Sequence, residues 1–317
     1  MSQMEMVDRD SLVPSPHPDR RSQAYLPDTT EALAVVSQLK GAAGYRVERL
    51  FRCLLLQVME DLSDRDLARY LEENLAAKSF CGFPLSEPTP AYSLFTRVRT
   101  RIGPTRLSPL VATMREQLKA AGLKSEVFTF VDATHLIAKA TRGEERDKAR
   151  QQNIEKLNNE VLPKVAVDTQ ARIGCTGKKK YGSGEKEPVS VDMQSGLINK
   201  VATPPLIFRM PRACGRSVPR RRAVDADKGY CTAPARHAAA RRGCHLAAIQ
   251  RNNMTTKNRD RDRWYTHLRS PYERGFSQRP KRVRSRGVAK NQFAAFLQAL
   301  AFNLKRLLVL EPSLVSA

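Results

Sequence analysis

Residues Val127–Lys139 read V-F-T-F-V-D-A-T-H-L-I-A-K, and the assignment of the whole chain turns on them. Val127, Phe128, Phe130 and Val131 form a short β-branched and aromatic run of the kind that makes a buried strand. Asp132 interrupts it before apolar residues resume at Leu136 and Ile137. An unpaired buried carboxylate costs several kcal/mol, so Asp132 belongs where the strand emerges or where a cation meets it. Two readings follow. Asp132 is either a turn residue bonded to its own backbone at Ala133–Thr134, or a functional acid at a strand end.

Downstream, Val189-Ser190-Val191-Asp192 and Gly196-Leu197-Ile198 read as two strands joined by a turn at Gln194–Ser195, a hairpin in the same sheet. Residues 223–249 read as a βαβ unit: a strand at Ala223–Ala226, a helix over about Ala233–Arg242 closed by Gly243, and a strand at Cys244–Ile249. Ser270-Pro271-Tyr272-Glu273 has capping-box spacing with proline at the first helical position, which predicts a short helix ending at Pro280. Asn291–Leu310 carries Phe293, Phe296, Leu297, Leu300, Leu304 and Leu307 on one face, a helix that must pack on a core. A helix over Gln151–Leu162, closed by Pro163, and a lysine-bearing loop through Lys178–Lys180 lie between these elements. The fold class is α/β.

Upstream, residues 1–44 hold four prolines (Pro14, Pro16, Pro18, Pro27) among charges and read as loosely ordered. From Tyr45, Val47, Leu50, Phe51, Leu54, Leu55 and Val58 make one helical stripe. A second helix opens after Ser63, a natural N-cap, with Asp64 and Asp66 at the positive end of its dipole. Turns at Cys81–Pro84 and Glu87–Pro90 lead to a third helix, Ala91–Ile102, carrying Arg97, Arg99 and Arg101, and a fourth spans Pro109–Ala121. Such a set is either a helix-turn-helix-like DNA reader or a plain bundle with its arginines in water.

Fifty-five Lys and Arg against thirty-two Asp and Glu leave a net charge of +23 in 317 residues, which points to a polyanionic partner, first of all nucleic acid. The six cysteines show no C-x-x-C pair and no zinc spacing, as expected of reduced thiols in a cytoplasmic protein. No secretory signal opens the chain, and its unbroken apolar runs are too short to span a bilayer.

Three acids stand at element boundaries: Asp132 after one strand, Asp227 after another and before Gly229, and Glu273 in the first turn of a helix. Carboxylates converging from separate elements beside basic loops are what a two-metal phosphoryl-transfer site requires. Asp225 competes with Asp227 for that role, and Glu273 is also explained by its capping box.

Taken in order, V-F-T-F-V-D-A-T-H-L-I-A-K, A-D-K-G-Y, R-S-P-Y-E-R-G-F-S and R-G-V-A-K-N-Q-F resemble the bacterial insertion-sequence transposases of the DDE type, the group with the Tyr-Arg-Glu-Lys signature. L-S-D-R-D-L-A-R-Y-L resembles that group's N-terminal region, so the resemblance covers roughly residues 45–310. It implies a mixed RNase H-like sheet flanked by helices over 123–310, a helical DNA-binding domain over 45–122 and a tail at 311–317. It also implies cleavage at element ends with Mg²⁺ or Mn²⁺ and transfer of the freed 3′-hydroxyl to target DNA. The partners would be double-stranded DNA, as terminal inverted repeats and target, and a second copy of the chain. Asp132, Asp227 and Glu273 would bind metal and Arg269 would assist. Lys228, Arg279, Lys281, Arg282, Arg284, Arg286 and Lys290 would join Arg97, Arg99 and Arg101 in contacting DNA.

Two positions depart from that signature. The expected tyrosine three residues before Arg269 is Thr266, beside Tyr265, and the expected lysine seven after Glu273 is Pro280, between Arg279 and Lys281. Residues 204–222 depart further. Four prolines and six arginines occur there without an acid, where a strand and a polar helix are expected. Such a composition is what GC-rich coding DNA gives when translated out of frame, so the segment reads as scrambled by compensating frameshifts, in an inactive copy. Gly182–Pro188 looks eroded as well. A non-catalytic DNA-binding remnant and a metal-dependent nuclease without strand transfer are the alternatives.

Overall fold

The computed structural model describes residues 12–37, 44–124, 128–138, 151, 158–177, 180–203, 223–277 and 283–315. The chain divides into two compact units, one of residues 1–120 and 296–317, the other of 121–295. Together they make a mixed α/β protein.

The first unit is helical. Helices α1 (Pro18–Gln23) and α2 (Thr30–Ser37) form inside the segment expected to be loose. The few apolar residues of this segment are well used: Val13, ahead of α1, and Leu33 and Val36 in α2 are buried, and Ser22 is held by the Pro18 carbonyl. Helix α3 (Val47–Met59) buries its predicted stripe except Val58, which is half-buried; Phe51, Leu54 and Leu55, and Leu56 beside them, are at 0–1% exposure. Helix α4 (Asp64–Glu73) starts at Ser63, whose hydroxyl accepts the Asp66 N–H at 3.2 Å. A helix absent from the sequence reading, α5 (Leu75–Cys81), follows at once, because the Asn74 side chain caps it by accepting the Ala77 N–H. Gly82 then ends it at φ 80°.

The predicted third and fourth helices form one run, α6 (Tyr92–Ala120), bent where Gly103 adopts φ 62°, ψ 169° and Pro104 restarts the helix. The fourth helix therefore begins five residues before Pro109.

The second unit is built on a six-stranded sheet: β1 (Phe128–Ile137), β2 (Arg172–Gly177), β3 (Lys180–Asp192), β4 (Ile198–Val201), β5 (Ala223–Ala226) and β6 (His245–Ala248). A short helix α7 (Leu162–Val165) precedes β2, so Pro163 begins a helical turn rather than closing one. The expected 151–162 helix falls mainly outside the described residues, as does the 204–222 segment. The hairpin is present: β3 and β4 pair antiparallel, and Asp192 holds the turn by accepting the Ser195 N–H and hydroxyl at 2.9 and 2.7 Å. Residues 182–188, which looked eroded, lie within β3, with Pro188 opposite Ala133. The βαβ unit also forms, with β5, α8 (Ala233–Ala240) and β6 in parallel connection.

Strand β1 is central, with β3 antiparallel on one side and β5 parallel on the other. Side chains opposite one another share a face. One face carries Val131, Val224, Ala226 and Ala248, which pack with Tyr230, Cys231, Ala239 and Cys244 in a closed apolar cluster. The other face carries Phe130, Asp132, Glu185, Glu187 and Asp225, and helix α9 (Arg259–Ser277) lies against β1 there.

Helix α10 (Val288–Val315) is longer than the periodic stretch predicted. Its Val288–Leu310 portion is long and apolar enough to cross a bilayer, yet half of it is buried within the protein, as in a core helix. Phe293, Leu297, Leu300, Leu304 and Leu307 are buried as the stripe requires, and Phe296 is only partly covered.

Candidate active site

The parallel register of β1 and β5 pairs Phe130 with Asp225 and Val131 with Ala226. Each strand's next residue is an acid: Asp132 and Asp227. The two carboxylates therefore leave neighbouring strands at the same level. Asp132 does not end its strand, contrary to the sequence expectation. β1 runs on to Ile137 because the long strand β3 continues to pair with it as far as Gly184. What ends beside Asp132 is its parallel neighbour, so the acid stands where β5 leaves the sheet. Its half-buried carboxylate also accepts the Ala133 N–H at 2.7 Å, the local bond of the turn reading, made here within a strand.

Asp227 immediately precedes a 3₁₀ turn at Lys228–Tyr230, its backbone carbonyl accepting the Tyr230 N–H at 2.9 Å, and its side chain keeps 43% exposure. Asp225 competes poorly as a ligand from solvent, because it lies inside the sheet opposite Phe130 at 6% exposure.

Arg269 joins this site. It is 6% exposed, donates to an Asp227 carboxylate oxygen at 3.2 Å and stacks over Phe130, 5.4 Å from the ring centroid. Tyr272 fixes the same stretch of helix: its hydroxyl donates to the Met193 carbonyl and its ring lies 6.5 Å from Phe130. Both contacts depend on a helix that the sequence placed wrongly. α9 begins at Arg259, with Asn258 accepting the Arg261 N–H at 3.0 Å, and runs through Pro271. Ser270 is consequently not an N-cap, and the capping-box explanation of Glu273 lapses. Glu273 lies on α9 one turn beyond Arg269; its side chain is outside the described residues.

Among the described residues no three His, Cys, Asp or Glu side chains gather closely enough to hold a metal ion. Asp132 and Asp227 are two hard oxygen donors of the kind Mg²⁺ prefers, one half-buried and one open to water, and so fit part of such a site.

Two further acids share the Asp132 face and escaped the sequence reading. Glu187 stands opposite Thr134 and Glu185 opposite Leu136, each 2% exposed. Burial pushes the Glu185 carboxyl up to about 7, opposed by the polar side chain of Asn291 and aided by the charges of Asp168 and Glu187. The alternation of Glu185, Glu187 and Val189 is the period-two signal that could have placed them. On the opposite face His135, across from Lys186, is held below its ordinary value by burial and then by the lysine charge.

The candidate DNA contacts divide. Arg97, Arg101, Lys228, Arg284, Arg286 and Lys290 are exposed. Arg99 is not available in the same way: it is bound within the helical unit to both Asp64 oxygens and to the Gln57 amide oxygen. Asp64 lies 35 residues earlier, too far for local patterning to reveal the pair. Arg279, Lys281 and Arg282 lie outside the described residues.

Residues 7–101 match a family model described as a transposase domain (DUF772). The chain is similar to transposases over that stretch, and the match supports a transposase as its class. No curated protein matches the chain.

Proposed function

We propose that this chain is a DDE-type DNA transposase of an insertion sequence, with an RNase H-like catalytic unit. Asp132, Asp227 and Glu273 would hold Mg²⁺ or Mn²⁺ for cleavage at element ends and strand transfer into target DNA. The observation that carries the reading is the β1–β5 register, which brings Asp132 and Asp227 to adjacent strand positions next to α9, the helix that bears Arg269 and Glu273. Antiparallel strands on one side of β1 and parallel strands on the other favour the RNase H-like assignment, and the transposase-domain match at residues 7–101 favours DNA as substrate.

Bound divalent cations would activate the attacking hydroxyl and stabilise the leaving oxygen of the phosphodiester. The chain's own contribution is positional. Asp132 is held in β1 by its pairing with β3, Asp227 by the bond from Arg269, and Arg269 by its seat on Phe130, so the three are positioned before substrate arrives. The exposed Arg97, Arg101, Arg284, Arg286 and Lys290 would neutralise backbone phosphates of two bound duplexes, in a dimer on DNA.

The test is cleavage of a labelled duplex carrying the element's own ends, with Mg²⁺, by this protein and by Asp132→Ala. Cutting that disappears in the variant, followed by joining to target DNA, is the expected result. A folded protein that binds the ends without cutting them would be a non-catalytic remnant, as the composition of residues 204–222 suggests. Cutting without joining would make it a nuclease.

A further inference from the structure

We infer that Arg269 is an internal counter-ion for Asp227, displaced when a divalent cation binds, so that metal entry and release of the guanidinium are one event. This inference rests on the metal-site reading above. Three observations carry it. The Arg269 guanidinium is bonded at 3.2 Å to one oxygen of a proposed metal ligand. The two partners are buried very unequally: the arginine side chain is 8% exposed and the aspartate 43%, so the positive charge reaches the carboxylate from the protein interior. The guanidinium also rests on Phe130, two residues before Asp132 in the same strand, so its seat belongs to the site itself.

A carboxylate that already carries a charge-assisted hydrogen bond offers less negative charge to a second cation, and two cations on one carboxylate repel. Arg269 and a metal ion must then compete for Asp227. In the resting chain the pair satisfies both charges, and the partly exposed carboxylate does not draw in other cations. When metal arrives, the arginine is freed beside the site, where a phosphate of the substrate can take the place of Asp227 as its anion. One residue thus weakens metal binding to the free protein and supplies positive charge to the metal-loaded complex.

The experiment is calorimetric titration of the full chain with Mg²⁺ in the absence of DNA, comparing wild type, Arg269→Gln, Arg269→Lys and Asp227→Asn, each checked for folding by circular dichroism. Loss of a charge-assisted hydrogen bond of about 1.4 kcal/mol corresponds to about a tenfold change in affinity. Arg269→Gln should therefore bind Mg²⁺ about tenfold more tightly than wild type. Arg269→Lys, shorter and unable to stack as a plane, should fall between them, and Asp227→Asn should lose the binding. If Arg269→Gln proves unfolded, tighter binding by Arg269→Lys than by wild type carries the same meaning. Equal or weaker binding by the folded arginine variants, with Asp227→Asn still impaired, would overturn the counter-ion role and leave the metal site standing. No saturable binding by any variant would reject the metal site, and the counter-ion role with it.

Discussion

Arg99 offers the sharpest separation between a stabilising role and a DNA-binding one. Its guanidinium reaches both oxygens of Asp64 and donates to Gln57 Oε1 at 2.7 Å, while Gln57 Nε2 and Thr96 Oγ1 donate to Asp64 at 2.7 and 3.2 Å. Both ionic side chains are 27% exposed, between the surface and buried limits. A surface pair is worth up to about 1 kcal/mol, whereas breaking a buried pair costs about 3–5 kcal/mol. Bidentate geometry and two added donors place the coupling between Asp64 and Arg99 at roughly 2 kcal/mol. The measurement is a double-mutant cycle of Asp64→Asn, Arg99→Gln and the double variant by urea denaturation. A second arm measures the affinity of each folded protein for duplex DNA at fixed salt. Arg99→Gln should lower stability and leave affinity unchanged, whereas Arg97→Gln and Arg101→Gln should do the reverse. A coupling below about 0.5 kcal/mol, or a DNA-affinity loss for Arg99→Gln equal to that of Arg101→Gln, would refute the reasoning. The pH dependence supplies a further check. Burial raises the Asp64 value, but the hydrogen bonds from Arg99 and Gln57, the Arg99 charge and the Thr96 bond outweigh it and hold the carboxyl below its ordinary 3.8. A depressed folded value means that this stabilisation is complete above about pH 4 and is lost as the pH falls through the folded value, a loss that Asp64→Asn should abolish.

Three other outcomes follow from single residues. Glu185, raised from 4.5 to about 7, holds its proton in the folded chain between those values while the unfolded chain has released it. Stability should therefore fall by up to roughly 3 kcal/mol as the pH rises across that window and level off above it, a slope that Glu185→Gln should remove in melts taken from pH 4 to 8. A Cβ at Gly184 would collide with the Leu136 carbonyl oxygen, so Gly184→Ala should cost about 2 kcal/mol or more in urea denaturation and loosen β1–β3 pairing in hydrogen exchange. Ser63→Ala removes the acceptor for the Asp66 N–H and should cost about 1 kcal/mol, with no change in Mg²⁺ binding.

How much of this was legible in the sequence depends on whether the signal was local. The stripe of α3, the Ser63 cap, the β3–β4 hairpin and the β5–α8–β6 unit each follow from spacing within a few residues, and each is present. The misplaced boundaries are those where a distant partner decides, as in β1, or where the local signal is polar and carries no apolar period, as in α9. Asp132 reads as the end of a strand, and only the length of β3 carries β1 onward through Thr134 and His135 to Ile137. The first turns of α9, R-D-R-D-R, have no apolar period and are fixed by Asn258 and the acids of the first turn, Asp260 and Asp262. The proline at 271 then drew the predicted start to the wrong place.

For the candidate site the same distinction has a chemical consequence. The sequence selects Asp132 and Asp227 as acids after apolar runs, but no local signal specifies which level of β1 meets which level of β5. A shift of one residue would turn every side chain of β5 to the other face. Asp225 would then point into the apolar cluster that Val224 and Ala226 now fill, beside Val131. Asp225 is already buried, but moving its carboxylate from the polar face to a place among Val131, Ala239 and Ala248 would cost several kcal/mol. The apolar face of the βαβ unit thus enforces the register, and the register sets Asp132 beside Asp227. Substituting Val224→Asp should test that dependence. It should disrupt the packing of the βαβ unit and lower Mg²⁺ binding at a site whose own residues are unchanged. Wild-type Mg²⁺ affinity in a folded Val224→Asp protein would show that the cluster does not set the site.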